Sequence, residues 1–256
     1  MGSLEHCHAL ITGGGTGIGA AIAQALAGAG AAVSIAGRRK APLDKLAGRL
    51  SKAAAVVADV TRPSDCESMV AAARAAHGPI DIVVVNAGMA TSSPAAKTDL
   101  ALWQRTIDVN LTGAFLTVQA ALADVTRASS AAPRRIVFIA STAGLKGYPY
   151  VAAYCAAKHG VIGLMRALSI ELAASGATVN AVCPGYADTP LLAKAVETIS
   201  AHTGRSAEQA RSTLAKDNLH GRLITPDEVA QTVLWLCSSA AGSINGQAIA
   251  VAGGPL

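Results

Sequence analysis

The strict alternation of short apolar runs with alanine-rich helical stretches constrains the fold of this chain more than any other feature of its sequence. The apolar runs predict seven strands, at 9–12, 32–36, 55–58, 80–85, 135–140, 178–182 and 248–251. Helices are predicted near 18–29, 42–51, 64–76, 99–126, 152–174 and 226–238. Such alternation implies right-handed βαβ units and a parallel sheet covered by helices on both faces. The consecutive apolar residues Ile82-Val83-Val84-Val85 indicate a strand buried on both faces.

No Pro/Ser-rich linker divides the 256 residues, so the alternation predicts one doubly wound α/β domain spanning 1–256. Segment 186–222 departs from the alternation, with two helix-forming stretches separated by Thr203-Gly204 where a strand would otherwise follow. Open α/β sheets place substrate-covering elements beyond the carboxyl ends of their strands. We therefore expect a helical substrate lid at 186–222, with a surface helical hairpin as the alternative.

The composition excludes several classes of protein. Apolar residues make up 52% of the chain, too many for a disordered protein, yet Gly and charged residues break the apolar stretches below the length needed to cross a membrane. The first residues show no signal peptide. Lys and Arg number 21 against 16 acids, but only 3% of residues are aromatic. We therefore expect no nucleic-acid partner and favour a small acidic ligand such as a phosphate or coenzyme A.

The cysteines bear on the compartment and on metal binding. All five are scattered, with no CxxC pair, a pattern typical of reduced thiols in a cytoplasmic protein. The stretch His6-Cys7-His8 has no further spaced ligand, so we interpret it as the start of a strand and expect no metal site.

A glycine-rich turn follows the first predicted strand and opens the first predicted helix. The stretch from Thr12 to Gly19 reads TGGGTGIG, which matches T-G-x-x-x-G-x-G but not G-x-G-x-x-G. Glycines let the backbone approach a pyrophosphate, and a helix N-terminus offers N–H groups and the positive end of its dipole. A dinucleotide is therefore expected to contact Gly13, Gly15, Thr16, Gly17, Ile18 and Gly19.

The end of the second strand indicates which dinucleotide is preferred. An NAD site would place Asp or Glu there to accept a hydrogen bond from the ribose 2′-OH. This chain has Arg38-Arg39-Lys40 instead, and its next acid is Asp44, inside the following helix. Because Arg can pair a phosphate bidentately, Arg38 and Arg39 favour NADP, although NAD stays possible. A solvated basic loop is the alternative interpretation.

Three residues are candidates for acid/base catalysis. Tyr154 and Lys158 stand four apart, hence on one helix face, and Ser141 follows the fifth predicted strand. A free phenol has a pKa of about 10, which a neighbouring ammonium lowers by stabilising the phenolate. Ser141 can donate a hydrogen bond to a substrate oxygen.

Over essentially its whole length the sequence resembles the short-chain dehydrogenase/reductase family, in its compact, NAD(P)-dependent Rossmann form. The matching positions are Gly13, Gly17 and Gly19 in the cofactor turn, Asp59 and Val60 beside the adenine, Asn86, Ala87 and Gly88 in the sheet-stabilising motif, Asn110, Ser141, Tyr154 and Lys158 in the catalytic tetrad, and Pro184, Gly185 and Thr189 beside the nicotinamide. Thr16 stands where many NADP-dependent relatives carry Arg, which leaves phosphate recognition to Arg38 and Arg39.

The resemblance also implies roles. Tyr154 is expected to be the general acid/base, and Ser141 is expected to orient the carbonyl. Lys158 would hold the nicotinamide ribose and tune Tyr154, while Asn110 would hold a proton-relay water. A homotetramer is implied as well, with the helices at 99–126 and 152–174 between subunits.

The substrate class is indicated less directly. The stretch 154–191 is similar both to family members that reduce 3-oxoacyl thioesters on coenzyme A or acyl carrier protein and to members that oxidise small free 3-hydroxy acids. The NADP preference and the basic surplus favour the thioester. An NAD-dependent dehydrogenase of a free 3-hydroxy acid or another secondary alcohol is the alternative, and a non-catalytic dinucleotide-binding regulator is a remote one. Tyr148 and Tyr150 stand near the expected entry of the substrate, as does Tyr186 in the lid.

Overall fold

Seven parallel strands form a single sheet in the computed structural model, which describes residues 4–128 and 132–255. The strands are β1 (His8–Thr12), β2 (Ala32–Gly37), β3 (Ala53–Val57), β4 (Ile82–Val85), β5 (Arg135–Ile139), β6 (Thr178–Pro184) and β7 (Ala248–Val251). Their order across the sheet is β3-β2-β1-β4-β5-β6-β7. The predicted doubly wound Rossmann fold is therefore confirmed.

The helices connect successive strands and cover both faces of the sheet. They are α1 (Gly17–Gly28), α2 (Lys40–Ala47), α3 (Pro63–His77), α4 (Leu100–Ile107), α5 (Gly113–Val125), α6 (Ala152–Glu171), α7 (Pro190–Thr203), α8 (Ala207–Lys216) and α9 (Pro226–Cys237). The prediction of a single helix at 99–126 is wrong in one respect, because a π-helical turn, Asp108–Thr112, separates α4 from α5. That turn contains Asn110.

Two hydrophobic cores, one on each face, hold the helices to the sheet. Successive residues of β1 alternate between them: Ala9 and Ile11 belong to one core, and Leu10 belongs to the other. The first core includes side chains of α1, α2 and α9, and the second includes side chains of α3, α5 and α6. All three residues are fully buried, which explains the unbroken apolar runs of the central strands.

The sheet has a topological switch point between β1 and β4. The chain passes from β1 to β2 on one side and from β4 to β5 on the other, while β1 and β4 pair directly, with Ala9 opposite Ile82 and Ile11 opposite Val84. Connections that diverge in this way leave a crevice at the carboxyl ends of the strands. The predicted site residues lie at this edge of the sheet or on the helices that begin there.

The segment predicted to be a lid forms two helices with a small core of their own. Leu192 and Val196 of α7 pack with Ala210 and Leu214 of α8, apart from the two main cores. In the described ranges, no helix is long and apolar enough to cross a membrane. The same residues contain no group of three or more His, Cys, Asp or Glu placed to hold a metal ion.

Candidate active site

The glycine-rich turn after β1 is fixed by backbone geometry and by one asparagine. Gly13 and Gly17 have φ values of 63° and 56°, which favour glycine. A Cβ at Gly19 would lie 2.3 Å from the Gly13 carbonyl oxygen, so α1 approaches the turn as closely as only glycine allows. The Asn86 Nδ2 donates to the carbonyl oxygens of Thr12 (2.9 Å) and Gly13 (3.2 Å). Asn86, predicted to stabilise the sheet, thus joins the ends of β1 and β4.

The N-terminus of α1 opens into a cleft. Thr16 precedes the helix, but its side chain makes no capping hydrogen bond, so the first-turn N–H groups are not satisfied by a side-chain cap. The cleft is lined by Gly13, Thr16, Gly17, Ile18, Gly19, Gly37, Arg38, Arg39, Ala58, Asp59, Val60, Asn86, Ala87, Gly88, Val109, Thr189, Pro190 and Leu191. Gly15, expected at the cofactor, is not in this lining: a Cβ there would lie 3.2 Å from Leu43 Cδ2 of α2.

The cleft carries two cations and one carboxylate at the end near β2 and β3. Of the three consecutive basic residues, Lys40 pairs with Asp44 at 2.5 Å on the surface, and it does not line the cleft. Arg38 and Arg39 do line it, and neither belongs to an ion pair of the described residues. These two guanidinium groups are therefore available to a phosphate, as the sequence predicts.

The carboxylate is that of Asp59. Burial on its own would raise its pKa, but two hydrogen bonds from Thr61 and the charges of Arg38 and Arg62 outweigh burial and lower it. The Thr61 N–H and hydroxyl donate to Asp59 Oδ1 at 3.0 and 2.8 Å. Asp59 therefore stays ionised near neutral pH and can accept hydrogen bonds at the predicted adenine position.

Ser141, Tyr154 and Lys158 come together where β5 meets α6. The Ser141 hydroxyl lies close enough to Tyr154 to lower the pKa of the phenol, and its Oγ accepts from the Ala143 N–H at 3.1 Å. The Lys158 Nζ donates to the Ile139 carbonyl oxygen at 2.9 Å and lies 5.6 Å from the centroid of the Tyr154 ring. The three predicted catalytic side chains thus form one cluster at the carboxyl end of the sheet.

The protonation states in this cluster differ from the expectation that Lys158 lowers the pKa of Tyr154. Burial raises the pKa of Tyr154 to about 12, and the neighbouring Ser141 hydroxyl opposes part of this rise. Burial also lowers the pKa of Lys158 to about 8, so its ammonium is only moderately stable at neutral pH. Its Nζ faces the tyrosine ring and the Ile139 carbonyl rather than the phenol oxygen. Tyr154 is consequently a proton donor near neutral pH.

The fourth member of the predicted tetrad, Asn110, makes structural hydrogen bonds. Its Nδ2 donates to the carbonyl oxygens of Met89 and Thr106, both at 2.9 Å, and its Oδ1 accepts from the Met89 N–H at 3.2 Å. A Cβ on Gly88 would lie 3.0 Å from that oxygen and 3.8 Å from Lys158 Nζ. Asn110 therefore holds the strand-end segment at 86–89 beside Lys158. Its expected relay water stays a prediction.

The residues after β6 are placed on the other side of the cleft. Thr189 precedes α7 and accepts from the Leu192 N–H at 3.3 Å. A Cβ on Gly17 would lie 3.5 Å from the Thr189 side chain, so the N-termini of α1 and α7 face each other across the cleft. Pro184, Gly185, Tyr154 and Lys158 are not in the cleft lining itself.

The sequence analysis missed two residues that position the site. A Cβ on Gly144 would lie 2.6 Å from the Lys158 carbonyl oxygen, so this glycine sets how closely α6 approaches the segment of Ser141. Asn218 is buried, and its amide donates to the Tyr186 carbonyl oxygen at 2.9 Å and accepts from the Tyr186 N–H at 3.0 Å. A Cβ on Gly185 would lie 2.2 Å from Asn218 Oδ1. Neither residue belongs to a recognisable local pattern.

Several features make the cleft fit a nicotinamide dinucleotide phosphate. The N-terminus of α1 has no side-chain cap, Gly13 and Gly19 permit close approach to the turn, and Arg38 and Arg39 have no carboxylate partner among the described residues. Backbone donors and a positive dipole end suit a pyrophosphate, and paired guanidinium groups suit a further phosphate.

Comparison with known proteins agrees with this geometry. Residues 7–200 match the family described as short chain dehydrogenase. A putative ketoacyl reductase of Streptomyces coelicolor is 37% identical over 253 residues, covering 96% of this chain and 95% of its own, and a D-beta-hydroxybutyrate dehydrogenase of Rhizobium meliloti is 36% identical, covering 96% and 97%. A crystal structure of an actinorhodin polyketide ketoreductase variant with NADPH is 36% identical, with a TM-score of 0.92 and coverage of 99% of this chain and 98% of that one. The chain therefore belongs to the short-chain dehydrogenase family, the oxidoreductases that interconvert carbonyl groups and secondary alcohols.

Proposed function

We propose that this enzyme reduces the 3-oxo group of an acyl thioester, carried on coenzyme A or acyl carrier protein, with NADPH as the electron donor. The observation that carries the proposal is the cluster of Ser141, Tyr154 and Lys158 at the carboxyl end of the sheet, beside a cleft in which Arg38 and Arg39 form no ion pair with any described residue. A phenol of pKa about 12 is suited to give a proton to the more basic alkoxide that forms in reduction.

In this mechanism each side chain acts on the substrate oxygen or holds a group that does. Ser141 donates a hydrogen bond to the carbonyl oxygen and polarises it. The glycine turn, the N-terminus of α1, Arg38 and Arg39 would hold a nicotinamide dinucleotide, which would supply the hydride for the carbonyl carbon. Tyr154 then protonates the oxygen, and Lys158, at a pKa of about 8, offers a charge close to the ring of the developing phenolate. Asn110 keeps the segment at 86–89 next to that lysine.

The preference for NADPH rests on Arg38 and Arg39. Both line the cleft at the end where a 2′-phosphate would lie, while an Asp or Glu that would favour NADH is absent from Gly37 to Lys40. The thioester is supported by the Streptomyces relative, whose name describes a ketoacyl reductase, and by the surplus of 21 basic over 16 acidic residues.

A second candidate is an NAD-dependent dehydrogenase of a small free 3-hydroxy acid. The Rhizobium relative, named as a hydroxybutyrate dehydrogenase at 36% identity, supports it. Oxidation would require Tyr154 to act as a base, and a pKa of about 12 makes the phenolate scarce at neutral pH. Reduction is therefore the direction we favour.

The first experiment follows absorbance at 340 nm with acetoacetyl-CoA and either NADPH or NADH. We expect NADPH to be consumed well above NADH, and Tyr154→Phe to abolish turnover while leaving dinucleotide binding intact. Turnover of 3-hydroxybutyrate with NAD⁺ in place of thioester reduction would establish the second candidate. An unchanged rate in Tyr154→Phe would remove the role assigned to that residue.

We also propose a cytoplasmic homotetramer. The five cysteines are all free thiols, as expected for a reducing compartment. Large apolar side chains are exposed on α4, α5, α6 and α9, namely Leu100, Phe115, Ile170 and Trp235. Exposed apolar side chains of this size are typical of surfaces that meet another subunit.

A further inference from the structure

A structured loop carries Lys146 and Tyr148 directly beside the catalytic serine. The loop follows the short helical turn Thr142–Gly144 and leads into α6. The Lys146 N–H donates to the Thr142 carbonyl oxygen at 2.9 Å, and the Tyr150 carbonyl oxygen accepts from the Ser93 N–H at 2.7 Å. Tyr150 has a φ of 65°, a left-handed conformation that residues other than glycine rarely adopt. The hydrogen bonds at both ends give the loop a defined path.

Two tyrosines build an aromatic wall, defined here as Tyr148 and Tyr186. The Tyr148 hydroxyl and Thr142 Oγ1 are hydrogen-bonded at 2.8 Å. The rings of the two tyrosines meet edge to face, with centroids 6.0 Å apart and planes at 88°. Because Asn218 binds the Tyr186 backbone on both its N–H and its carbonyl, both halves of the wall are fixed.

The aromatic wall stands next to the catalytic tyrosine. Burial raises the pKa of Tyr186 to about 12, and the charges of Asp217, Tyr148, Cys155 and Tyr154 raise it further. Tyr148 follows β5 and Tyr186 follows β6, two neighbouring strands, so the wall stands at the carboxyl edge of the sheet where the catalytic cluster also lies. At the other end of the wall, Thr142 is the immediate neighbour of Ser141. A substrate whose carbonyl oxygen meets Ser141 and Tyr154 has this wall beside the rest of its structure.

Lys146 places a cation on this wall. Its Nζ lies 5.3 Å from the centroid of the Tyr148 ring, a cation–π distance. The side chain is half-buried, and it takes part in none of the ion pairs of the described residues. Asp217, whose charge raises the pKa of Tyr186, makes no ion pair with Lys146. A positioned cation without a carboxylate partner, near an apolar surface, is suited to bind an anion.

We infer that Lys146, held over the Tyr148 ring, determines substrate specificity by binding a negatively charged group of the substrate while Ser141 and Tyr154 engage its carbonyl. The inference rests on the proposed reduction of a carbonyl substrate. It differs from the role of Arg38 and Arg39, which lie in the dinucleotide cleft after β2, whereas Lys146 follows β5 and is not in the cleft lining. The anionic group is the carboxylate of a free oxo acid or a phosphate of the thioester carrier.

Four substrates separate the effect of the substrate's charge from the effect of its reacting carbonyl group. Acetoacetate and acetoacetyl-CoA are anionic, whereas ethyl acetoacetate and the N-acetylcysteamine thioester of acetoacetic acid are their neutral counterparts. Initial rates with NADPH are measured for the native enzyme, Lys146→Gln, Lys146→Arg and the control Lys52→Gln. Lys52 is an exposed cation before β3, at the opposite edge of the sheet from the site. Circular dichroism melting shows that each variant is folded.

In Lys146→Gln we expect the KM of the recognised anionic substrate to rise about tenfold, with kcat nearly unchanged, because a charge-assisted contact is lost. The KM of the neutral counterpart should change less than about twofold. Lys146→Arg should restore most of the affinity, and Lys52→Gln should leave all four substrates unaffected. A higher KM for acetoacetate would identify a carboxylate as the group that Lys146 binds. A higher KM for acetoacetyl-CoA would identify the phosphates of the carrier.

If the KM rose equally for charged and neutral substrates, or for neither anionic substrate, the role of Lys146 would be overturned. Carbonyl reduction as the proposed function would still hold. A native enzyme that binds NADPH but reduces none of the four substrates would instead overturn the proposed function, and this inference with it. A measured loss confined to kcat would also contradict the inference, because it would indicate a disturbed catalytic cluster.

Discussion

Arg38 lies in the cleft without a carboxylate partner among the described residues, whereas the neighbouring Lys40 is paired with Asp44. This difference predicts that Arg38→Ala weakens NADPH binding about tenfold, since a charged hydrogen bond to phosphate contributes roughly 1.5–3 kcal/mol and exposure reduces it. Binding of NADH should be unchanged. Fluorescence titration with each dinucleotide measures the two Kd values.

The matched control is Lys40→Ala, which removes an adjacent cation that does not line the cleft. It should leave both Kd values within about twofold of the native ones. Equal weakening of NADPH and NADH by Arg38→Ala, or equal effects of the two variants, would show that the basic stretch is only a solvated loop.

Lys158 is nearly fully buried, and burial lowers its pKa from an ordinary value of 10.5 to about 8. Charging this amine inside the protein near neutral pH therefore costs about 3 kcal/mol, at roughly 1.4 kcal/mol for each pKa unit. Between pH 8 and 10.5 the unfolded chain binds more protons at this site than the folded one, so the contribution of Lys158 to stability rises with pH in that window. Below pH 8 the cost is fully present.

We therefore expect the native protein to gain free energy of unfolding relative to Lys158→Met as the pH rises from 7 to 9.5. Urea titrations at both pH values measure the gain, and the comparison with Lys158→Met removes what the buried Tyr154 and cysteine side chains, with their raised pKa values, contribute in both proteins. The variant should also be inactive at both values. A stability difference between the two proteins that is independent of pH would show that the amine is not titrating in this window.

Element by element, the parallel sheet could be predicted closely, because β-branched runs alternate so regularly with helical stretches. The interruption of the helix predicted at 99–126 could not. The sequence Asp108–Thr112 contains no Pro or Gly, and its apolar spacing continues that of the flanking helices. The π turn depends on contacts formed only in the folded protein, where Asn110 binds Met89 and α6 packs against the turn through Gly160, whose Cβ would lie 2.7 Å from Leu111 Cδ2.

In the candidate site, too, some residues could be predicted from the sequence and others are shown only by the structure. Its tetrad and glycine turn have fixed spacings in sequence, so their residues could be named. Gly144 and Asn218 act through partners 14 and 32 residues away, Lys158 and Tyr186, and only the packed structure shows these contacts. The protonation of Tyr154 could not be predicted either, because it depends on burial, which raises its pKa.

Gly144 provides a test of how α6 is positioned. A Cβ there would lie 2.6 and 2.9 Å from backbone atoms of Lys158, which cannot rotate away. We expect Gly144→Ala to lower the free energy of unfolding by about 1–3 kcal/mol, as overpacking does, and to reduce kcat by displacing Tyr154 and Lys158 from Ser141. Denaturant titration and steady-state kinetics measure the two effects.

The control for this substitution is Gly28→Ala, at the end of α1, where a Cβ meets nothing within 4 Å. It should be neutral or slightly stabilising, because alanine favours the helix. If Gly144→Ala matched this control in both stability and kcat, the close approach of α6 would not matter for catalysis.

In the molecule as a whole, the charged and catalytic groups lie where the strands of the sheet end. The predicted cofactor cations follow β2, the catalytic cluster lies at β5 and α6, and the lid follows β6, all at the carboxyl edge of one sheet. The chemistry thereby occupies the carboxyl edge of the sheet, and the outer surfaces of the helices away from that edge carry none of these groups. Four of the exposed large apolar side chains, Leu100, Phe115, Ile170 and Trp235, lie on these helices, where the proposed assembly would cover them.

Ile170 on α6 and Trp235 on α9 are the positions from which we test assembly. Ile170 is 79% exposed and Trp235 is 40% exposed, and their helices cover opposite faces of the sheet. Two separate apolar surfaces related by two-fold axes give a tetramer with dihedral symmetry. Mass photometry should therefore find about 102 kDa, four times the 25.5 kDa of the chain.

Ile170→Lys and Trp235→Lys should each leave a dimer of about 51 kDa, twice the mass of the chain, and the double variant should leave a monomer, because each lysine disrupts one surface. The control is Val57→Lys on the edge strand β3, where an apolar side chain is also exposed but neither of these helices lies. This variant should remain tetrameric. A native protein that is monomeric at micromolar concentration, or a Val57→Lys variant that dissociates like the other two, would contradict assembly through the α6 and α9 surfaces.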